Sequence, residues 1–242
     1  MADFIVDELV KKTFRELSES PKPQQYSRVW KSPNGYIFLV PWANANLLRT
    51  IIVRFTSSLP KSNFRFKNQI DDAARSVIAN IEEGFARPTT HEYLKFLGFS
   101  QASLKEVKGD IQRARQDGLL KSIPGSSITV LEINLKDWHE KLKVSVISRS
   151  AGTHGVRGIY RKLEEVRGKI DGKSPLKSFK FLYDPVDNLR VSDLTYEIFI
   201  ELINKTDWHL RRLVESLENK LVRDKKYYQI EQARILGKAR GV

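Results

Sequence analysis

The run Gln69-Ile-Asp-Asp-Ala-Ala-Arg-Ser-Val-Ile-Ala-Asn-Ile-Glu-Glu-Gly-Phe85 decides the fold. With Phe66 just upstream, Ile70, Ala73, Ala74, Val77, Ile78 and Ile81 fall on one stripe at about 100° per residue, the pattern of a helix with a single buried face. The spacing predicts a helix over 63–85, with Gly84 as its C-terminal stop. The same period continues on both sides. Leu47, Leu48, Ile51, Ile52 and Phe55 predict a helix over 43–58, ended by Pro60. Thr89 and Glu92 have the spacing of a capping box and open a helix over 90–117. Its inner face carries Tyr93, Leu97, Leu104, Val107, Ile111 and Ala114, and Gly118 follows its end. Far downstream, Phe199, Leu202, Ile203, Thr206, Leu210, Leu213, Leu217 and Leu221 line a helix over 193–222. Four such stripes predict an all-α protein, an antiparallel up-down four-helix bundle.

The remaining segments are an N-terminal extension and a long insert. The chain divides into an extension (1–42), three bundle helices (43–121), an insert (122–191) and the fourth helix with a basic tail (192–242). The extension holds a small amphipathic helix on Ile5, Leu9, Thr13, Phe14 and Leu17, and Pro33-Asn-Gly35 amid β-prone residues suggests a hairpin over 26–42. In the insert, Ser127, Thr129, Leu131, Ile133 and Leu135 alternate as in a strand, and Trp138 with Leu142 suggests a helical turn or two. Residues 149–180 carry nine basic against three acidic residues, a surplus of +6, along with several glycines. They read as a mobile basic connection with a short helix near 159–169.

Composition narrows the function classes. Zero Cys removes disulfide scaffolds, thiolate zinc sites and thiol nucleophiles. His91, His139, His154 and His209 share no metal-ligand spacing. No apolar run approaches the roughly 20 residues of a membrane helix, and the first residues do not resemble a secretory signal, so the expected location is cytoplasmic with no membrane partner. Neither a Ser/His/Asp arrangement nor a phosphate loop with its preceding strand is present. The expectation is therefore a non-enzyme with no cofactor. The net charge of +13 favours a polyanionic partner, RNA or DNA.

Individual residues sharpen this. Glu82 and Glu83 are adjacent on a helix and point about 100° apart, so they do not converge as a catalytic or metal-binding pair. Asp71 and Arg75 stand at i and i+4, the spacing of a surface ion pair. Lys105, Lys108, Gln112 and Arg115 lie within about 80° of one another. Such a row can track a phosphate backbone, although a solvated face with its side chains folded along the apolar stripe fits the same pattern. Trp208 points away from the apolar stripe of its helix, beside Lys205 and Arg212. It is a candidate subunit contact, a seat for the insert, or a base-stacking platform.

The 69–85 run, with Glu92-Tyr-Leu-Lys-Phe-Leu97 and Ser103-Leu-Lys-Glu-Val107, resembles a bacterial four-helix-bundle family. That family comprises the proteins encoded in intervening sequences of large-subunit ribosomal RNA genes and the accessory variability protein of diversity-generating retroelements. Its pattern is approximately Q-I-x-x-A-A-x-S-I-x-A-N-I-A-E-G-F, with Glu82 here in place of the usual Ala. The resemblance spans about 44–121, and Leu194 to Arg240 looks like the charged suffix of a longer variant. It implies a closed bundle, often assembled as a ring of five subunits, and no known catalysis. The retroelement members bind nucleic acid and a reverse transcriptase. The expected function is thus a nucleic-acid-binding accessory protein, RNA- or retroelement-associated, acting through a basic homo-oligomeric surface. The competing class is an oligomeric scaffold for a protein partner. Candidate nucleic-acid contacts are Arg75, which matches a commonly basic family position, Lys105, Lys108, Arg115, Arg157, Arg161, Lys162, Lys205 and Arg212.

Overall fold

A computed structural model of the chain describes residues 34–151 and 183–239, and the side chains among them except those of 148–151 and 227–239. The helix on Ile5–Leu17, the mobile stretch expected within 149–180, and the candidates Arg157, Arg161 and Lys162 lie outside these side chains. The described residues form helices joined by turns, with no strand among them. Five helices carry the architecture: α1 (Val40–Ser57), α2 (Phe64–Ala86), α3 (Thr90–Gln116), α4 (Leu135–Ala151) and α5 (Tyr196–Ala239). None of them is long and apolar enough to cross a membrane.

The apolar stripes of α1, α2, α3 and α5 meet in one core. Leu47, Ile51, Val77, Ile81, Leu97, Val107, Ile111, Phe199 and Leu202 are all fully buried in it. α1 packs on α2 and α5, α2 on α3, and α3 on α5. Polar bonds pin these seams. Arg49 pairs with Asp71 at 3.1 Å, the Ser100 hydroxyl donates to the Val77 carbonyl at 2.9 Å, and Gln69 Nε2 donates to Asp110 Oδ1 at 2.9 Å. The capping box forms as its spacing requires. Thr89 Oγ1 accepts from the Glu92 N–H at 3.1 Å, and Glu92 Oε2 accepts from the Thr89 backbone N–H at 3.4 Å.

Several local expectations are overturned. Residues 35–38 form a 3-10 helix rather than half a hairpin, and α1 begins at Val40 with Pro41 inside its first turn. Proline is favoured there because its missing N–H would have no helical partner. Gly84 does not stop α2, which runs on to Ala86. It permits the close approach of α3 instead, since a Cβ at this position would lie 2.8 Å from Phe96 Cβ and from Tyr93 Cδ2. Residues 127–135 are not a strand. They form a 3-10 helix over Ile128–Leu131, and then Glu132 turns into the left-handed region at φ 56°.

The insert also contributes to the core. α4 lies against α1 and the 35–38 turn, so it is a structural helix rather than a turn or two. Trp138 is only 1% exposed, and its Nε1–H donates to the Ala43 carbonyl at 2.8 Å. Tyr183, where the described chain resumes, packs edge-on against Trp138 at 5.8 Å between centroids and hydrogen-bonds the Asn134 backbone.

One half-buried cluster carries a pH-dependent consequence. Glu82 turns inward and accepts the Trp42 Nε1–H at 2.7 Å, while Glu83 turns outward to Arg87 at 3.8 Å. The pair therefore diverges, as helical geometry requires. Burial pushes the Glu82 carboxyl above the ordinary carboxylate range, and the Trp42 hydrogen bond offsets only part of this. Burial, and next the Glu82 charge, also raise the Tyr36 hydroxyl. A carboxyl raised on folding favours the folded state in its protonated form, and that contribution is lost as pH rises through the raised value. Glu82→Gln keeps an acceptor for Trp42 and removes the charge. We expect its urea midpoint to exceed the parent's at pH 7 and the difference to shrink towards pH 4. A midpoint below the parent's at pH 7 would contradict this account.

Candidate nucleic-acid interface

The candidate cations sort into two groups. Three are committed to carboxylates. Arg75 pairs with Asp72 at 3.5 Å rather than with Asp71, which is taken by Arg49. Arg212 holds Glu215 at 3.0 Å. Lys205 holds Glu201, and Glu201 in turn accepts the Ile128 N–H at 2.8 Å. Burial acts to raise the Glu201 carboxyl, but hydrogen bonds from Lys205 and Ile128 outweigh it and leave the group below its ordinary range. Glu201 therefore secures the 128–131 turn to α5, with Lys205 as its ion-pair partner.

The other group lies on α3, where Lys105, Lys108 and Arg115 form no ion pair among the described residues. Lys108 Nζ donates to Asn204 Oδ1 at 3.0 Å. The Arg115 guanidinium lies over the Tyr196 ring, 4.6 Å from its centroid. Lys105 is exposed, one turn earlier on the same edge. These contacts place the row along the outer seam between α3 and α5. From Lys105 to Arg115 the helical rise spans about 15 Å.

Trp208 lies further along α5, on its outer side. It is 57% exposed, and its ring stacks edge-on with His209 at 4.8 Å, with the Arg212 guanidinium 5.8 Å from its centroid. Asn204 precedes Trp208 by one turn and so shares its side of α5. Sequence periodicity placed Trp208 on the outer face correctly. It did not reveal that Lys108 reaches α5 one turn away, because that depends on helix–helix register.

His139, by contrast, is structural. Burial holds its imidazole below the ordinary histidine range, with the Ile37 carbonyl acting in the opposite sense. A carbonyl can only accept, so Nε2 carries the proton in the 2.7 Å bond to Ile37. Among the described residues no group of three or more His, Asp or Glu is arranged to hold a metal ion.

The described residues form a helical fold whose α3–α5 edge carries Lys105, Lys108 and Arg115, with Trp208 exposed on α5. Residues 39–131 match the family model described as 23S rRNA-intervening sequence protein, which confirms over that stretch the resemblance carried by the 69–85 run. No curated protein and no solved structure matches the chain.

Proposed function

We propose that this protein is a non-enzymatic, RNA-associated nucleic-acid-binding protein that holds the phosphate backbone along the α3–α5 seam. The observation that carries the reading is the row of Lys105, Lys108 and Arg115, free of carboxylate partners among the described residues, in a chain of net charge +13. The family match, with its tie to ribosomal RNA, supports the same class of ligand. The architecture fits this role. Arg49–Asp71, Ser100–Val77 and Lys108–Asn204 each join the second half of one helix to the first half of the bundle helix that follows. Such pairing is expected of an up-down antiparallel four-helix bundle, which is rigid enough to present a straight cationic edge. Assembly into a homo-oligomer would repeat that edge and convert weak single contacts into avid binding.

A filter-binding titration against salt tests the reading. Affinity for RNA should fall linearly in log–log form as salt rises, because bound Lys and Arg release counterions from the phosphates. Affinity too weak to measure near physiological salt for single-stranded RNA, structured RNA and duplex DNA alike would overturn it. The scaffold class would then stand, with the charge serving solvation.

A further inference from the structure

We propose that the Trp208 end of the α3–α5 seam selects single-stranded nucleic acid, with the indole stacking on an unpaired base while Lys105 and Lys108 hold the adjoining phosphates. The inference rests on the nucleic-acid reading above and goes on to name the form of the ligand.

The geometry of α5 sets Trp208 apart. Phe199, Leu202, Ile203, Thr206 and Leu210 are buried around one side of the helix, and position 208 falls about 180° from the centre of that stripe. A large aromatic surface left 57% exposed contributes little to folding. The ring is nevertheless held in place, with the His209 imidazole against it edge-on and Arg212 above it. An exposed indole beside a guanidinium can stack a nucleobase without regard to sequence.

Register supplies the phosphate contacts. Lys108 is bonded to Asn204 and Arg115 covers Tyr196, so a step towards Trp208 on α5 is a step towards Lys105 on α3. One continuous row therefore leads from Arg115 through Lys108 and Lys105 to the indole. A paired base has its faces covered by its neighbours in the helix, so an aromatic ring on a convex helix surface can reach a base only where the strand is unpaired.

Charge argues against a protein occupant. The acidic residues close to Trp208 on α5 are already neutralised, Asp207 by Arg211 at 2.7 Å and Glu215 by Arg212 at 3.0 Å. Lys105, Lys108 and Arg115 have no such partner among the described residues. Interface cores between proteins are depleted in charge, and a second copy of this chain would bring its own surplus of +13 against this one.

The test uses the full chain, with fluorescence anisotropy on a single-stranded RNA oligonucleotide and a blunt RNA duplex of equal length. Trp208→Ala should weaken single-strand binding by about 5- to 150-fold, the range found for removal of one base–aromatic stack, and leave duplex binding unchanged. Trp208→Phe should restore most of the affinity. Circular dichroism should show both variants fully helical, since the side chain supports no core packing. Equal single-strand affinity in Trp208→Ala and parent would overturn the inference. So would a variant that dissociates a homo-oligomer at unchanged RNA affinity, which would make Trp208 a subunit contact. A parent that binds no nucleic acid defeats the broader reading as well. A parent that binds while Trp208→Ala is neutral defeats only this inference.

Discussion

Trp138→Ala is expected to destabilise the protein by about 3–5 kcal/mol, the cost of emptying a large buried aromatic site. Trp138 comes from the insert, yet it is 1% exposed, bonds the Ala43 carbonyl of α1 and packs against Tyr183. The substitution removes buried apolar area, one hydrogen bond and an aromatic pair together. It also loosens the neighbouring His139–Ile37 bond that fastens the 35–38 turn. Trp138→Phe refills much of the volume without the N–H, so it should fall between the alanine variant and the parent. Val130→Ser is a control from the same insert. That residue is 69% exposed, and its replacement should stay within about 0.5 kcal/mol of the parent. Urea unfolding followed by far-ultraviolet circular dichroism reads all three. A Trp138→Ala cost as small as the control would mean that α4 is an appendage rather than part of the core.

This prediction lies where sequence reading was weakest. The bundle helices were legible because each carries its own burial pattern, and a helix with a 3.6-residue stripe has one way to bury it. The capping box at Thr89 was legible for the same reason, since all its parts lie within four residues. Residues 127–135 were not. Their alternation suggested a strand, but burial follows Ile128 and Leu131 at the three-residue spacing of a 3-10 helix, while Val130 faces solvent. What holds them is the Glu201 carboxylate, 73 positions away, on the Ile128 N–H. Pro33-Asn-Gly35 failed similarly. Its turn chemistry is real, but Gly35 serves the Phe85 ring, which occupies the place of a Cβ.

The site was half legible. Charge and periodicity identified Lys105, Lys108 and Arg115 as one row, and Trp208 as an outward residue. They could not separate free cations from committed ones. Arg75, Lys205 and Arg212 looked equivalent to the α3 row in the sequence, yet each is held by a carboxylate three or four residues away. Such spacing permits a pair in many places, and only rotamers and neighbours decide which one forms. Asp71 shows this directly, since it leaves Arg75 for Arg49 on another helix.

The division between free and committed cations makes the second large effect specific. Lys105→Gln, Lys108→Gln and Arg115→Gln in one variant should reduce the magnitude of the log–log salt slope for single-stranded RNA by about 2, at roughly 0.7 for each phosphate no longer neutralised. If the electrostatic contribution vanishes near 1 M salt, that slope change corresponds to about 50-fold weaker binding at 0.15 M. The fold should tolerate the change. Glutamine is a good helix former, and the Arg115–Tyr196 interaction is worth about 1 kcal/mol or less at an exposed site. Arg75→Gln is the internal comparison. It removes one charge from α2, but that charge is already balanced by Asp72, so the slope should hardly move. If the triple variant and Arg75→Gln reduce the slope in simple proportion to the charge removed, three to one, then binding depends on net charge alone and the α3–α5 seam has no special place in it. If the triple variant takes most of the slope and Arg75→Gln almost none, the phosphates lie along the seam, where Lys105, Lys108 and Arg115 form no ion pair among the described residues.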